Sequence, residues 1–342
     1  MQSLKELTAL SGVSGNEKEV RRYILEKIKG KCDEIKVDTM GNILAKKRGN
    51  GKINKTVMIA AHMDEVGLIC SDFTEDGCLK FKTVGGIDPK VLVSKKVVVG
   101  ENKIPGVIGL KAIHLQSPDE RTAPVKVSSL YIDIGAKDKE QAQEFVKKGD
   151  YIAFNSEWCE LGEGSVKAKA IDDRAGCAIM LSLLDEEFDF DTVFAFTVQE
   201  ETGLRGAIVA SYSADPDIAL VLESTTCADL PEVAEKDFST VSGGGAALSF
   251  MDRSTLYDKD LVKLLEKTAK ENNISYQFKR TTAGGNDSGA IHKSRAGIKT
   301  AVISIPTRYL HSPACVMAKS DYFAAKSLAK HFLKEIEKCL IH

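Results

Sequence analysis

Residues 55–61, Lys-Thr-Val-Met-Ile-Ala-Ala, form a short and almost wholly apolar run that stops at His62. A strand with no polar alternation must be covered on both faces, as in an α/β sheet that carries helices on each side. The pattern recurs at 192–198, 218–222, 246–250 and 300–305, with a shorter strand near 276–278. Helical periodicity lies between and around these runs. The first thirty residues give two helices (Leu4, Leu7, Leu10, then Val20, Tyr23, Ile24, Ile28), broken at Ser14–Glu17. Others are expected at about 173–184, 205–210, 258–272, 287–292 and 321–339. Such alternation predicts an α/β fold, a helix-covered mixed β-sheet.

Between Gly67 and Val166 the texture changes to short Val-, Lys-, Thr- and Gly-rich runs (91–93, 96–99, 107–110, 130–134), with only 139–148 helical. That is a β-barrel or β-sandwich signature. The expected organisation is a catalytic domain of residues 1–66 and 167–342, interrupted by an inserted β-rich barrel of residues 67–166. Lys and Arg total 47 against 49 Asp and Glu, with no basic half, which argues against a nucleic-acid partner. No run approaches the length of a membrane span and the first residues show no signal-peptide pattern, so a cytoplasmic protein with no membrane partner is expected. Eight scattered cysteines without a CxxC pair read as free thiols, so the chemistry must lie in other residue types.

In open α/β sheets, ligands bind beyond the carboxyl ends of the strands. There the sequence places His62 and Asp64, Glu200 and Glu201, Glu223, and His311, while Asp172 and Asp173 precede a helix. Each has a bland reading: a turn histidine, a solvated helix start, a cap with a salt bridge. Together they put histidines and acids at the ends of four separate apolar strands, where clustered carboxylates are costly without a cation. Two histidines and several carboxylates suit Zn²⁺ or a similar ion, and the surplus of carboxylates suits two ions sharing a ligand.

The segments 61–67 (Ala-His-Met-Asp-Glu-Val-Gly), 170–174 (Ala-Ile-Asp-Asp-Arg), 198–207 (Val-Gln-Glu-Glu-Thr-Gly-Leu-Arg-Gly-Ala), 284–292 (Gly-Gly-Asn-Asp-Ser-Gly-Ala-Ile-His) and 308–313 (Arg-Tyr-Leu-His-Ser-Pro) closely resemble the motifs of the M42 metallo-aminopeptidases, the tetrahedral or TET aminopeptidases. The resemblance runs from the first helix to the last. It implies two divalent ions, Zn or Co, bridged by Asp172, with His62 and Glu223 on one and Glu201 and His311 on the other. Glu200 would be the general base and Asp64 would orient the His62 imidazole. Many relatives have Asp where this chain has Glu223. The resemblance also implies peptide substrates cleaved at the N-terminus and a homo-oligomer, a dimer-based dodecamer held by the inserted domain.

Two rivals stand beside this reading. A glycosidase would use paired carboxylates on either side of a sugar, but Glu200 and Glu201 are adjacent, the histidines would be idle, and Trp158 is the single tryptophan. An inactive binding subunit would need a ligand position lost, and none is. His114 and His292 fit either structural or pocket roles; His331 and His342 read as bystanders. Gly243–Gly245 precedes a strand and lacks the Lys and Ser/Thr of a phosphate loop. The pocket is expected near 247–253 and 281–290, where Arg253 or Arg280 could attract acidic side chains.

Overall fold

A computed structural model describes residues 1–341; the expectation for His342 lies outside them. Helices α1 (Gln2–Ala9) and α2 (Lys18–Ile28) open the chain, followed by strands β1 (Glu34–Val37), β2 (Ile43–Lys47) and β3 (Thr56–His62). Next come β4 (Gly67–Phe73), β5 (Leu79–Val84), β6 (Lys96–Val99), β7 (Ile104–Leu110), α3 (Pro118–Thr122), β8 (Leu130–Asp133), α4 (Lys139–Phe145) and β9 (Tyr151–Phe154). The remainder is β10 (Cys159–Leu161), β11 (Ser165–Ala168), α5 (Ile171–Leu183), β12 (Asp191–Thr197), α6 (Arg205–Ala214), β13 (Ile218–Thr226), β14 (Ala246–Leu248), α7 (Lys259–Glu271), β15 (Tyr276–Phe278), α8 (Ser288–Ile291), β16 (Lys299–Arg308), β17 (Cys315–Ala318) and α9 (Lys319–Ile341).

The large sheet runs β1-β2-β12-β3-β13-β16-β17-β11-β10, with β14 and β15 attached beside β16. Its four central strands are parallel and its flanks antiparallel, giving the expected mixed α/β fold. Alternation along β3 shows why both faces need cover. Val57, Ile59 and Ala61 join a core with α1, α2, α5 and α9, whereas Met58 and Ala60 join a second core with Ala207, Ala210 and Ile291 from α6 and α8.

Strands β4-β5-β8-β7-β6-β9 close a separate antiparallel barrel around Leu68, Val97, Ile108, Ile132 and Ile152. Its strands end at Phe154, while β10 and β11 pair with each other and with β17 of the large sheet. The expected boundary at residue 166 therefore falls inside β11, and the chain has left the barrel before β10. Two local expectations also change. Residues 91–93 are not a strand, because Pro89 starts a 3₁₀ turn capped by Asp88. A second helix, α3, forms behind a reciprocal Ser117–Glu120 capping box. All eight cysteines are free.

Candidate metal centre

The site lies where the sheet splits. Strand β3 stays paired with β12 as far as His62–Thr197 but with β13 only to Ala60–Val221. Beyond that point the edges of β3 and β13 part, the kind of crevice in which open α/β sheets bind ligands. The start of α5 enters it: the Ser224 hydroxyl donates to the Ile171 carbonyl at 3.3 Å. His62 ends β3, Glu200 and Glu201 follow β12, Glu223 lies within β13, and His311 follows β16. β13 continues past Glu223 to Thr226, so Glu223 is not the strand end that the sequence suggested; it faces the gap because its β3 neighbour has gone.

Asp172 is the hub. Its Oδ1 is 3.4 Å from His62 Nε2 and its Oδ2 is 3.6 Å from His311 Nε2. Glu223 Oε1 is 3.4 Å from the His62 nitrogen, and Glu201 Oε2 is 3.3 Å from that of His311. Glu200 Oε2 lies 4.0 Å from His62 Nε2. Ligand atoms of His62, Asp172 and Glu201 all fall within 4.8 Å of one another, as do those of Asp172, Asp173 and Glu223.

Asp64 acts through its neighbours. Its carboxylate accepts from the backbone N–H groups of Glu200 and Glu201 at 3.0 and 3.2 Å. The His62 Nδ1 is 3.1 Å from the Asp64 main-chain carbonyl and 3.5 Å from its carboxylate. Asn42 holds the same loop from behind, accepting from Val198 N–H at 2.9 Å and donating to the Gly206 carbonyl at 3.1 Å. A Cβ at Gly206 would stand 2.2 Å from the Val198 carbonyl oxygen, so glycine is required there. Gln199, Tyr309 and His311 have φ of 54°, 60° and 55°, left-handed conformations that ordinary residues adopt at a cost and that gather at functional sites.

The electrostatics are those of crowded acids. Burial pushes Glu201 up to about 7, and burial with neighbouring carboxylates holds Glu200, Glu223 and Asp173 well above the usual carboxylate range. Burial alone would raise Asp172 and depress both histidines. Contact with His311 and His62 instead holds Asp172 low, the surrounding acids raise His62, and Asp172 with Glu201 carries His311 to about 9. Asp172 Oδ1, Asp173 Oδ2 and Glu223 Oε2 are buried with no hydrogen-bond partner. Orphaned carboxylate oxygens beside imidazole nitrogens are a donor set that a divalent cation satisfies.

Some contributors escaped the sequence reading. Asp173 was read as a helix start, yet it is fully buried and its Oδ1 accepts from Gly176 N–H at 2.9 Å. Asp287, also fully buried, accepts from the Thr197 hydroxyl at 2.5 Å and so ties the 284–292 segment to the end of β12. A doubled Asp and an Asp inside a glycine run are the only signals the sequence carried for them. Gly86, in the loop after β5, borders the same cavity beside His311. Elsewhere the histidines have other partners: His292 Nδ1 lies 2.7 Å from the Ser288 carbonyl, His331 Nδ1 lies 2.8 Å from that of Ser327, and His114 is exposed on a 3₁₀ turn. The N–H groups of Gly243 and Gly245 donate to the Asp321 carboxylate at 2.8 Å each, which occupies the turn that resembled a phosphate loop.

The chain matches the sequence model of the M42 glutamyl aminopeptidase family over residues 41–328. A putative aminopeptidase of Acetivibrio thermocellus is 42% identical over 320 residues, 93% of each chain. An aminopeptidase from the archaeon Desulfurococcus kamchatkensis superimposes with a TM-score of 0.94 at 34% identity, covering 100% of this chain and 96% of that one. The TET1 peptidase of Pyrococcus horikoshii, which can assemble into a tetrahedron or a large octahedral shell, does so with a TM-score of 0.86 at 33% identity, covering 97% and 98%. A family match over most of the chain, with relatives this similar along nearly their whole length, makes the chain a member of the M42 family of aminopeptidases, hydrolases that act as peptidases.

Proposed function

We propose that this aminopeptidase works with two divalent ions, Zn or Co, bridged by Asp172, with His62 and Glu223 holding one and Glu201 and His311 the other. The observation that carries the reading is the position of Asp172, whose two carboxylate oxygens face two different imidazoles, each accompanied by its own glutamate. Bound there, the ions would supply Lewis acidity for the attacking water and the scissile carbonyl. Asp64 fixes the Glu200–Glu201 backbone, which aims both side chains from one turn. Glu200 Oε2 then takes the proton of the attacking water and delivers it to the leaving amine as the peptide C–N bond breaks. Glycoside hydrolysis would leave both histidines without a role.

The test is hydrolysis of aminoacyl chromogenic substrates by metal-stripped and by Co²⁺- or Zn²⁺-reloaded protein. Activity should vanish on stripping and return on reloading; turnover that survives exhaustive chelation overturns the reading. We also propose that the chain is a homo-oligomer in which the barrel makes subunit contacts, since a solved relative of the same fold can assemble into a tetrahedron or a large octahedral shell. Light scattering should then report a multiple of the monomer mass, dodecamer or dimer, and a monomer refutes it. No helix among the described residues is long and apolar enough to cross a membrane, and eight free cysteines suit the reducing cytoplasm we assign to it.

A further inference from the structure

The two imidazoles of the cluster are not equally supported. The His62 side chain is 2% exposed and that of His311 is 40% exposed. Asp172 and a glutamate meet each ring at Nε2, which makes Nε2 the metal-facing nitrogen and leaves Nδ1 to a neighbour. A ligating histidine ordinarily donates that second N–H to a carboxylate, a backbone carbonyl or water, and this contact fixes its tautomer and its aim. For His62 the neighbour is the Asp64 carbonyl, 3.1 Å from Nδ1. The loop that carries His311 turns its other polar groups inward: the Ser312 hydroxyl donates to the Tyr309 carbonyl at 2.7 Å, and the Cys315 thiol donates to the same oxygen at 3.4 Å.

The barrel reaches the ring from the other side. Strand β5 ends at Val84, opposite Gly67 of β4. The chain runs on through Gly85 and Gly86 to Ile87, which packs on the barrel core, and to the 3₁₀ turn that Asp88 caps. Both ends of the glycine pair are thus held by the barrel. A Cβ at Gly86 would have the His311 Nδ1 as its nearest neighbour, at 3.7 Å, and the Gly86 backbone favours the protonated form of that ring. A Cβ at Gly85 would stand 2.8 Å from Val66 Cγ1 and 3.4 Å from the Cβ of Glu201. Gly85 also has a φ of 84°, so glycine is required there on two counts. One dipeptide of the barrel therefore lies against both Glu201 and His311.

We propose that Gly85–Gly86 is a positioning clasp for the ion assigned to Glu201 and His311: the Gly86 carbonyl accepts from His311 Nδ1 and holds Nε2 toward the ion, while the bare backbone of Gly85 lets the barrel close on Glu201. The inference rests on the two-ion reading above. It gives the barrel a part in the metal centre besides the subunit contacts proposed for it. His311 follows a strand of one domain and takes its orientation from the other, so tight binding of this ion requires both domains in place.

The test is calorimetric titration of Co²⁺ or Zn²⁺ into metal-stripped wild type and variants, with circular dichroism to confirm that each is folded. His311→Ala identifies the binding phase that belongs to the Glu201–His311 ion. Gly85→Ala should weaken that phase about 10–100-fold and leave the other unchanged, because its Cβ forces the turn away from Val66 and carries the Gly86 carbonyl off the imidazole. Gly86→Ala keeps the carbonyl and adds a Cβ at an ordinary contact distance, so both phases should stay at wild-type affinity. Gly77→Ala controls for strain in the barrel. Gly77, at the opposite end of β5, has a φ of 82°, and its Cβ would stand 2.6 Å from the Ala136 carbonyl oxygen; both phases should survive its substitution.

Two unchanged phases in Gly85→Ala overturn the clasp, as does equal weakening of both or the same loss in Gly77→Ala. If Gly85→Ala fails to fold, Ile87→Ala, which loosens the same turn from the barrel core, carries the comparison with the same outcomes. A wild type that takes up a single ion refutes the two-ion reading; weaker binding of that ion in Gly85→Ala but not in Gly77→Ala still upholds the clasp, and unchanged binding overturns it.

Discussion

Glu200→Gln should lower kcat about a thousandfold while the bound divalent metal, measured by elemental analysis, stays at the wild-type level. The substitution keeps the shape of the side chain and its place beside Asp64 but removes the group that can accept and pass on a proton. Its contacts make this separable from a ligand loss: Glu200 comes no nearer than 4.0 Å to an imidazole, that of His62, whereas Glu201, Glu223 and both histidines stand within 3.6 Å of a partner in the cluster. His311→Ala is the matching control, and it should lower metal content as well as rate. Metal content that collapses in Glu200→Gln would reverse the roles assigned to Glu200 and Glu201.

Glu65→Ala should cost about 3–5 kcal/mol of stability, read from the midpoint of urea unfolding. Glu65 is 2% exposed and its carboxylate has three polar partners. Lys169 Nζ lies 2.7 and 2.8 Å from its two oxygens, Arg174 Nη2 lies 3.4 Å from Oε1, and the Gly12 N–H donates to Oε1 at 2.9 Å. Lys169 and Arg174 also donate to the Leu10 and Leu7 carbonyls at 2.6 and 2.8 Å, so one carboxylate anchors the end of α1 to the approach of α5. Removing it strands two buried cations, and the penalty is their desolvation rather than the loss of a surface ion pair. Because Asp172 lies between Lys169 and Arg174 in sequence, metal affinity should fall in parallel. A midpoint shift worth less than about 1 kcal/mol, the range of exposed pairs, would show that the network is not holding this corner.

The strands of the sheet's centre were legible because their burial is written in the sequence: β3, β12, β13 and β16 are nearly uniform apolar runs. The antiparallel flanks were not. All four residues of β1 are exposed, and β10 and β11 have only three and four residues, so their pairing partners, more than their own composition, make them strands. The barrel showed as a change of texture, but its end did not, since the short strands continue through β10 and β11 and only their pairing with β17 assigns them to the large sheet. For the site, histidines and acids after apolar runs stood out, and the fold brings His62, Asp172, Glu200, Glu201, Glu223 and His311 to one crevice. The sequence could not give which oxygen faces which imidazole, or that Asp64 serves the backbone of Glu200 and Glu201.

The place of β16 in the sheet bears on how the chain is born. β13 pairs with β16 along nine successive residue pairs, Ile218–Lys299 to Thr226–Thr307, and His311 follows that strand. On a ribosome adding about 5–20 residues per second, β13 and five of the six clustered residues emerge on the order of ten seconds before the strand that seals the edge of β13. Through that interval a long apolar edge has no neighbour, the kind of surface that recruits other chains. A nascent chain at this stage is where chaperone contact and misassembly are to be sought, and the proposed pair of ions would be held tightly only once synthesis has run past His311.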